Sequence, residues 1–151
     1  MWHRNRWMIA VLIIAAALTL AACGAEATQT AEGSSSDPPA KVERIAGTDF
    51  SRVILTTQAA QRLGIQTAPV QDAQVQGKLR KVVPYAAVFY DLNGKTWVYT
   101  NPDPLTFVRA SISVDSIVSD VAVLSEGPPS GTKVVIVGAT ELYGTEFGVG
   151  Q

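Results

Sequence analysis

Val88-Phe89-Tyr90-Asp91-Leu92-Asn93-Gly94-Lys95-Thr96-Trp97-Val98-Tyr99 sets Asn-Gly between two runs of β-branched and aromatic residues. Both turn residues tolerate the positive φ that a type I′ turn requires, so the stretch predicts a β-hairpin. Downstream, Asn101-Pro102-Asp103-Pro104 is the next turn and leads into the longest alternating run. There Val108, Ala110, Ile112 and Val114 share one face, and Phe107, Arg109, Ser111 and Ser113 the other. Val121 to Leu124 and Lys133 to Val137 read as further strands, separated by the Gly/Pro-rich stretch Glu126 to Thr132. Upstream, Val53 to Leu55 and Ile65 to Val70 are extended. Between them Gln58 to Leu63 is a short helix with a threonine N-cap and Gly64 as its stop. Leu79 to Val83 and Ala86 to Tyr90 read as strands on either side of Pro84, which a sheet tolerates at an edge or bend. About seven short strands with turns every 8 to 12 residues or so predict an all-β fold, a small barrel or sandwich with one short helix. Thr140 to Leu142 predicts one helical turn ending before Gly144, and the segment through Glu146 and Phe147 reads as a closing tail.

Composition narrows the chemistry. The 151-residue chain has a formal charge of -1, which argues against nucleic acid as a partner. Its single histidine is His3, its methionines are Met1 and Met8, and its single cysteine is Cys23. Beyond Cys23 the residues offer no His/Cys zinc site, thioether copper site, Ser-His-Asp triad, cysteine nucleophile or disulfide, and no soft ligand to pass metal ions along. Gly127-Pro128-Pro129-Ser130-Gly131 lacks the Gly-Lys-Ser/Thr ending and following helix of a phosphate loop. Asp115 and Asp120 flank a turn rather than a cleft, which disfavours a glycosidase pair. The expectation is a non-enzyme without a cofactor or metal.

The first residues read as an address. Arg4 and Arg6 precede an apolar run from Met8 to Leu20, and Leu20-Ala21-Ala22 supplies small residues for cleavage before Cys23. As a helix, Met8 to Ala22 spans roughly 22 Å, short of the roughly 30 Å hydrocarbon core, which favours a signal peptide over a transmembrane anchor. Leu20-Ala21-Ala22-Cys23 resembles the lipobox of bacterial lipoproteins, whose cysteine becomes the lipidated first residue; a signal peptide with a chance cysteine is the alternative. Lipidation at Cys23 implies a tether to a membrane outside the cytoplasm, since more than one acyl chain holds stably. Gly24 to Lys41 has no large apolar residue and reads as a disordered leash with a reach of about 20 to 25 Å. The expected organisation is therefore a signal peptide at 1–22, a lipidated cysteine with linker at 23–41, and a β-domain at 42–151.

Val83-Pro84-Tyr85-Ala86-Ala87-Val88, followed by Gly94-Lys95-Thr96-Trp97-Val98-Tyr99, resembles the membrane-proximal domain of periplasmic adaptor subunits, the membrane fusion proteins of tripartite efflux pumps. Phe107-Val108-Arg109 with Ile112-Ser113-Val114 is similar to the strands after that hairpin. Val123-Leu124-Ser125-Glu126-Gly127 with Gly131 to Ala139 is similar to the family's closing segment, and Leu63 to Val70 to the entry into its first strands. The resemblance spans roughly residues 52–148. It implies a β-domain, an efflux system and a protein partner, either a transporter or another adaptor, and leaves a homo-oligomer open. One departure stands out. Full adaptors insert a lipoyl-like domain and an α-helical hairpin, and the residues from Gln71 to Val82 leave no room for either.

The candidate contact residues are Trp97, Tyr99, Phe107 and Arg109. Trp97 and Tyr99 share a strand face and read either as core and cross-strand partners or as an exposed aromatic docking face. Arg109, beside Phe107, reads either as a solvated arginine that discourages edge pairing or as an interface arginine. The function expected is that of a non-catalytic lipoprotein docking in an efflux system. A stand-alone envelope lipoprotein that binds a small molecule or an envelope polymer is the alternative, and a remnant without function the third option.

Overall fold

The computed structural model describes residues 38–148. The expected signal peptide, Cys23 and most of the linker lie outside the described residues. The elements in chain order are β1 (Ala40–Arg44), β2 (Ser51–Leu55), α1 (Thr57–Leu63), β3 (Gln66–Pro69), β4 (Gln71–Val75) and β5 (Lys78–Pro84). A 3₁₀ turn (Tyr85–Ala87) precedes β6 (Phe89–Tyr90), β7 (Thr96–Asp103), β8 (Thr106–Ser111), β9 (Ser113–Val118), β10 (Val121–Glu126), β11 (Lys133–Val137) and α2 (Ala139–Glu146).

The all-β expectation holds, as a sandwich of two open antiparallel sheets rather than a closed barrel. One sheet runs β1-β2-β8-β7-β11-β3, with β6 also on β7, and the other runs β4-β5-β10-β9. Among the described residues eleven strands replace about seven. Ala40 and Lys41, read as linker, are the start of β1 and pair with Leu55 and Ile54. The polar stretch Gln71–Val75 carries no alternating apolar signal, yet it pairs with β5 along its whole length. The run from Phe107 to Val114 is two strands. Ile112 is buried where the chain leaves one sheet for the other, and its N–H donates to the Thr96 carbonyl at 3.2 Å. Sandwich strands turn corners in this way when they change sheets.

The hairpin exists, but its turn differs from the one predicted. Gly94 has a φ of 77° while Asn93 keeps a negative one, and the Asp91 N–H donates to the Lys95 carbonyl at 3.0 Å. That is a three-residue loop, held by the Asp91 carboxylate, whose Oδ1 accepts from the N–H groups of Asn93 (2.9 Å) and Lys95 (3.0 Å). The two-residue turn with both φ angles positive lies instead at Gln76 (51°) and Gly77 (76°), between the paired Val75 and Lys78.

Helix α1 forms as its caps predict. Thr56 Oγ1 accepts from the Ala59 N–H at 3.1 Å, and Gly64 ends the helix in the left-handed region at φ 62°. Helix α2 is longer than the single turn expected and continues through Gly144 to Glu146. Both helices supply the first core, where Ala59, Ala139 and Leu142 meet Val53, Tyr99 and Phe107 of the larger sheet. The second core lies between the sheets and gathers Val83, Ala122 and Leu124 with Val98 and Val134. Strand β7 thus contributes Tyr99 to one core and Val98 to the other, both fully buried.

Candidate functional site

Tyr99 and Arg109 lie directly opposite each other on β7 and β8, and both side chains reach the same carboxylate, Glu146 near the end of α2. The Tyr99 hydroxyl donates to Glu146 Oε2 at 2.5 Å, and Arg109 Nη2 donates to Oε1 at 3.4 Å. Arg109 Nε faces Oε2 at 3.3 Å without an aligned hydrogen bond. The pair is buried, with the Glu146 side chain 3% and that of Arg109 10% exposed. Aromatic rings supply the rest of the guanidinium's surroundings. Its carbon lies 4.2 Å from the Trp97 ring centre, 5.1 Å from Phe147 and 5.7 Å from Phe50, distances at which a cation is drawn to a π face. Burial, and then the hydrogen bond to Glu146, push the Tyr99 hydroxyl pKa well above the ordinary phenol value. Phe89 stacks on Tyr99 at 5.2 Å and meets Tyr143 of α2 edge-on at 5.5 Å.

Trp97 continues this system into the hairpin loop. Its indole N–H donates to Asp91 Oδ2 at 3.0 Å. That bond, ahead of the loop N–H groups on the same carboxylate, lowers the Asp91 pKa.

The sequence-predicted contact residues are therefore together but interior. Trp97, Tyr99 and Phe107 are buried, and the face of β8 read as solvated, with Phe107 and Arg109 on it, lies under α2. The bond that makes this so was absent from the sequence reading. Glu146 counted as part of a closing tail, and its one sequence signal was a carboxylate eight residues past Gly138, on a helix that Gly144 seemed to forbid. The domain's conspicuous exposed apolar side chains lie elsewhere. Leu92 is 98% exposed at the tip of the hairpin loop, and Tyr90 beside it is 52% exposed. Tyr85, whose N–H donates to the Asp120 carbonyl at 2.7 Å, raises the pKa of the neighbouring Tyr90 phenol through its own side-chain hydroxyl.

An apolar hollow of about 250 Å³ lies beside α1, lined by Pro39, Ala40, Leu55, Ala59 and Leu63 with Arg62 and Thr145 at its margin. Among the described residues, no three His, Cys, Asp or Glu side chains are grouped to hold a metal ion. Among them also, no helix is long and apolar enough to cross a membrane.

No protein-family model matches the chain, and no curated protein matches it. Among solved structures it is similar to the NMR structure of a 180-residue piece of SilB from Cupriavidus metallidurans CH34, comprising the N-terminal metal-binding site and the membrane-proximal domain of that protein. The identity is 18% and the TM-score 0.43, over 68% of this chain and 66% of that one. At that distance the function has to be argued from this chain's own residues.

Proposed function

We propose that this protein is a lipid-tethered, non-catalytic accessory subunit of an efflux system, docking through its β-domain onto a transporter or adaptor in the cell envelope. The observation that carries the reading is the exposed tip formed by Tyr90 and Leu92. It lies on the very hairpin whose sequence resembles the adaptor membrane-proximal domain, and large exposed apolar side chains grouped in this way suit protein contact. Where a full adaptor inserts its lipoyl-like domain and helical hairpin, Gln76-Gly77 closes β4 onto β5. Contact with a partner therefore falls to the domain's own surface. The lipobox-like cysteine fits this role by raising the local concentration of the domain beside a membrane transporter.

The small-molecule alternative has the apolar hollow beside α1 in its favour. Its 250 Å³ is below the roughly 300 to 1,000 Å³ of ordinary ligand pockets, and a roomier hollow of about 700 Å³ between Asn101–Pro104 and Gly131–Lys133 has no aromatic or large aliphatic side chain in its lining, so docking is the better supported function.

A photo-cross-linking residue at Leu92, in cells that express the transporter, should give an adduct with a transporter or adaptor subunit. The same probe at exposed Leu79 on β5 should not. Identical adduct patterns at both positions, or none at Leu92, would overturn the docking surface. Cys23→Ser should shift the protein from membrane to soluble fractions, and unchanged partitioning would remove the tether.

A further inference from the structure

Among the described residues, and apart from the two-residue β6, which pairs with β7 alone, the two sheets leave four strands at their edges, β1 and β3 on the larger and β4 and β9 on the smaller. Three of these carry the devices that stop edges from pairing. On β1, Lys41 and Glu43 form an exposed ion pair at 2.7 Å. Strand β3 is four residues long and ends in Pro69, and β4 presents Gln71, Asp72 and Gln74. Strand β9 differs. Its one device is a bulge at Asp115, between the Val114–Leu124 and Ser116–Val123 pairs; beyond it, Ser116 to Val118 has neither lysine nor proline, and Ile117 and Val118 are 46% and 50% exposed. Its single acid, Asp115, is drawn off to Arg80 at 3.0 Å.

Strand register shows what this edge offers. Val118 pairs with Val121 across the two-residue turn Ser119-Asp120, so Val118 exchanges hydrogen bonds with β10. Backbone bonding alternates along a ladder, so the N–H and C=O of Ile117 point away from β10, where no other described strand pairs with β9. The Ile117 side chain lies on the same face as that of its partner Ala122, which belongs to the second core.

We infer that β9 is a self-pairing edge, and that its occupant is β9 of a second copy, antiparallel about a two-fold axis at Ile117. In this register the two Ile117 residues exchange both backbone hydrogen bonds and meet side chain to side chain. Ser116 then faces Val118 of the other copy, and no charged side chain stands in the regular Ser116–Val118 stretch to oppose its like. The second core is extended across the two smaller sheets, which become one. This inference is independent of the efflux reading and its test does not involve a transporter.

Cys23 is the chain's only cysteine, so the full-length Cys23→Ser chain is a thiol-free background. In it, Ser116→Cys chains mixed with Val118→Cys chains should oxidise to a disulfide-linked species of twice the 16.0 kDa chain mass. The mixture should react several times faster than either variant alone, because those two positions face each other. Adding Ile117→Lys to both variants should abolish the band while leaving the far-ultraviolet circular dichroism unchanged. A mixture that links no faster than Gln74→Cys chains on the β4 edge, or no faster than the separate variants, overturns the proposal. Coverage of β9 by another protein or by the chain's own N-terminal segment would produce that second result.

Discussion

At the scale of single residues the domain turns on Glu146. A buried ion pair contributes little net stability compared with apolar side chains, but removing one partner strands the other charge, typically at a cost of about 3 to 5 kcal/mol. Glu146→Ala should therefore lower the unfolding free energy by about 3 kcal/mol, and Arg109→Met combined with Glu146→Leu should cost clearly less than Glu146→Ala. Urea unfolding of the variants measures both, and a double variant worse than the single would show that the pair is not coupled. Tyr99 adds a pH dependence. Its folded pKa is raised, so its contribution is complete below the unfolded value near 10 and is lost as pH rises above that value. The urea midpoint should fall between pH 9 and about 11, and Tyr99→Phe should flatten that fall. An equally steep alkaline limb in Tyr99→Phe would contradict this account. Arg109 was legible as a choice between solvent and interface, and it is neither, because its partner comes from a helix 37 residues further on.

At the scale of elements, caps and turns were the most legible features, since they depend on a few neighbouring residues. Gly64 ends α1 as read, and a threonine caps its start, Thr56, one residue ahead of the position that a start at Gln58 implies. The Asn-Gly hairpin was found with its turn misassigned, because the Asp91 carboxylate binds two N–H groups of the loop and makes the longer connection the stable one. Helix α2 was the larger error. Gly144 costs only about 1 kcal/mol inside a helix, a penalty that burial of Leu142 outweighs. Its start is more demanding. Gly138 has a φ of 93°, and a Cβ there would collide with Ile65 Cδ1. Gly138→Ala should destabilise the domain by about 1 to 3 kcal/mol, whereas Gly131→Ala, at a similar φ of 88° but in open space, should cost less. Thermal melts of the two variants would separate the steric cost from the backbone cost. Equal losses would assign both to the backbone.

At the scale of the whole molecule, β7 joins the two cores, with Tyr99 on one side and Val98 on the other. Neither core can loosen without disturbing that strand, so residues 38–148 should unfold in one transition. Val98→Ala, at about 1 to 2 kcal/mol, should lower the single midpoint without splitting it. Circular dichroism and Trp97 fluorescence, with Trp2 and Trp7 replaced by Phe, should coincide throughout. Two separated transitions would show that the cores are independent. The sequence by itself determined the β character, the short capped helix, the hairpin and the exclusion of His, Met and Cys chemistry beyond Cys23. Those follow from alternation, local turn chemistry and composition, each complete within a few residues. Only the tertiary structure decided that Trp97, Tyr99, Phe107 and Arg109 are interior, that Glu146 binds two of them, and that Leu92 and the edge of β9 face outward. Which face of a strand meets solvent depends on what packs over it, and here the cover is a helix whose local sequence argues against its own length.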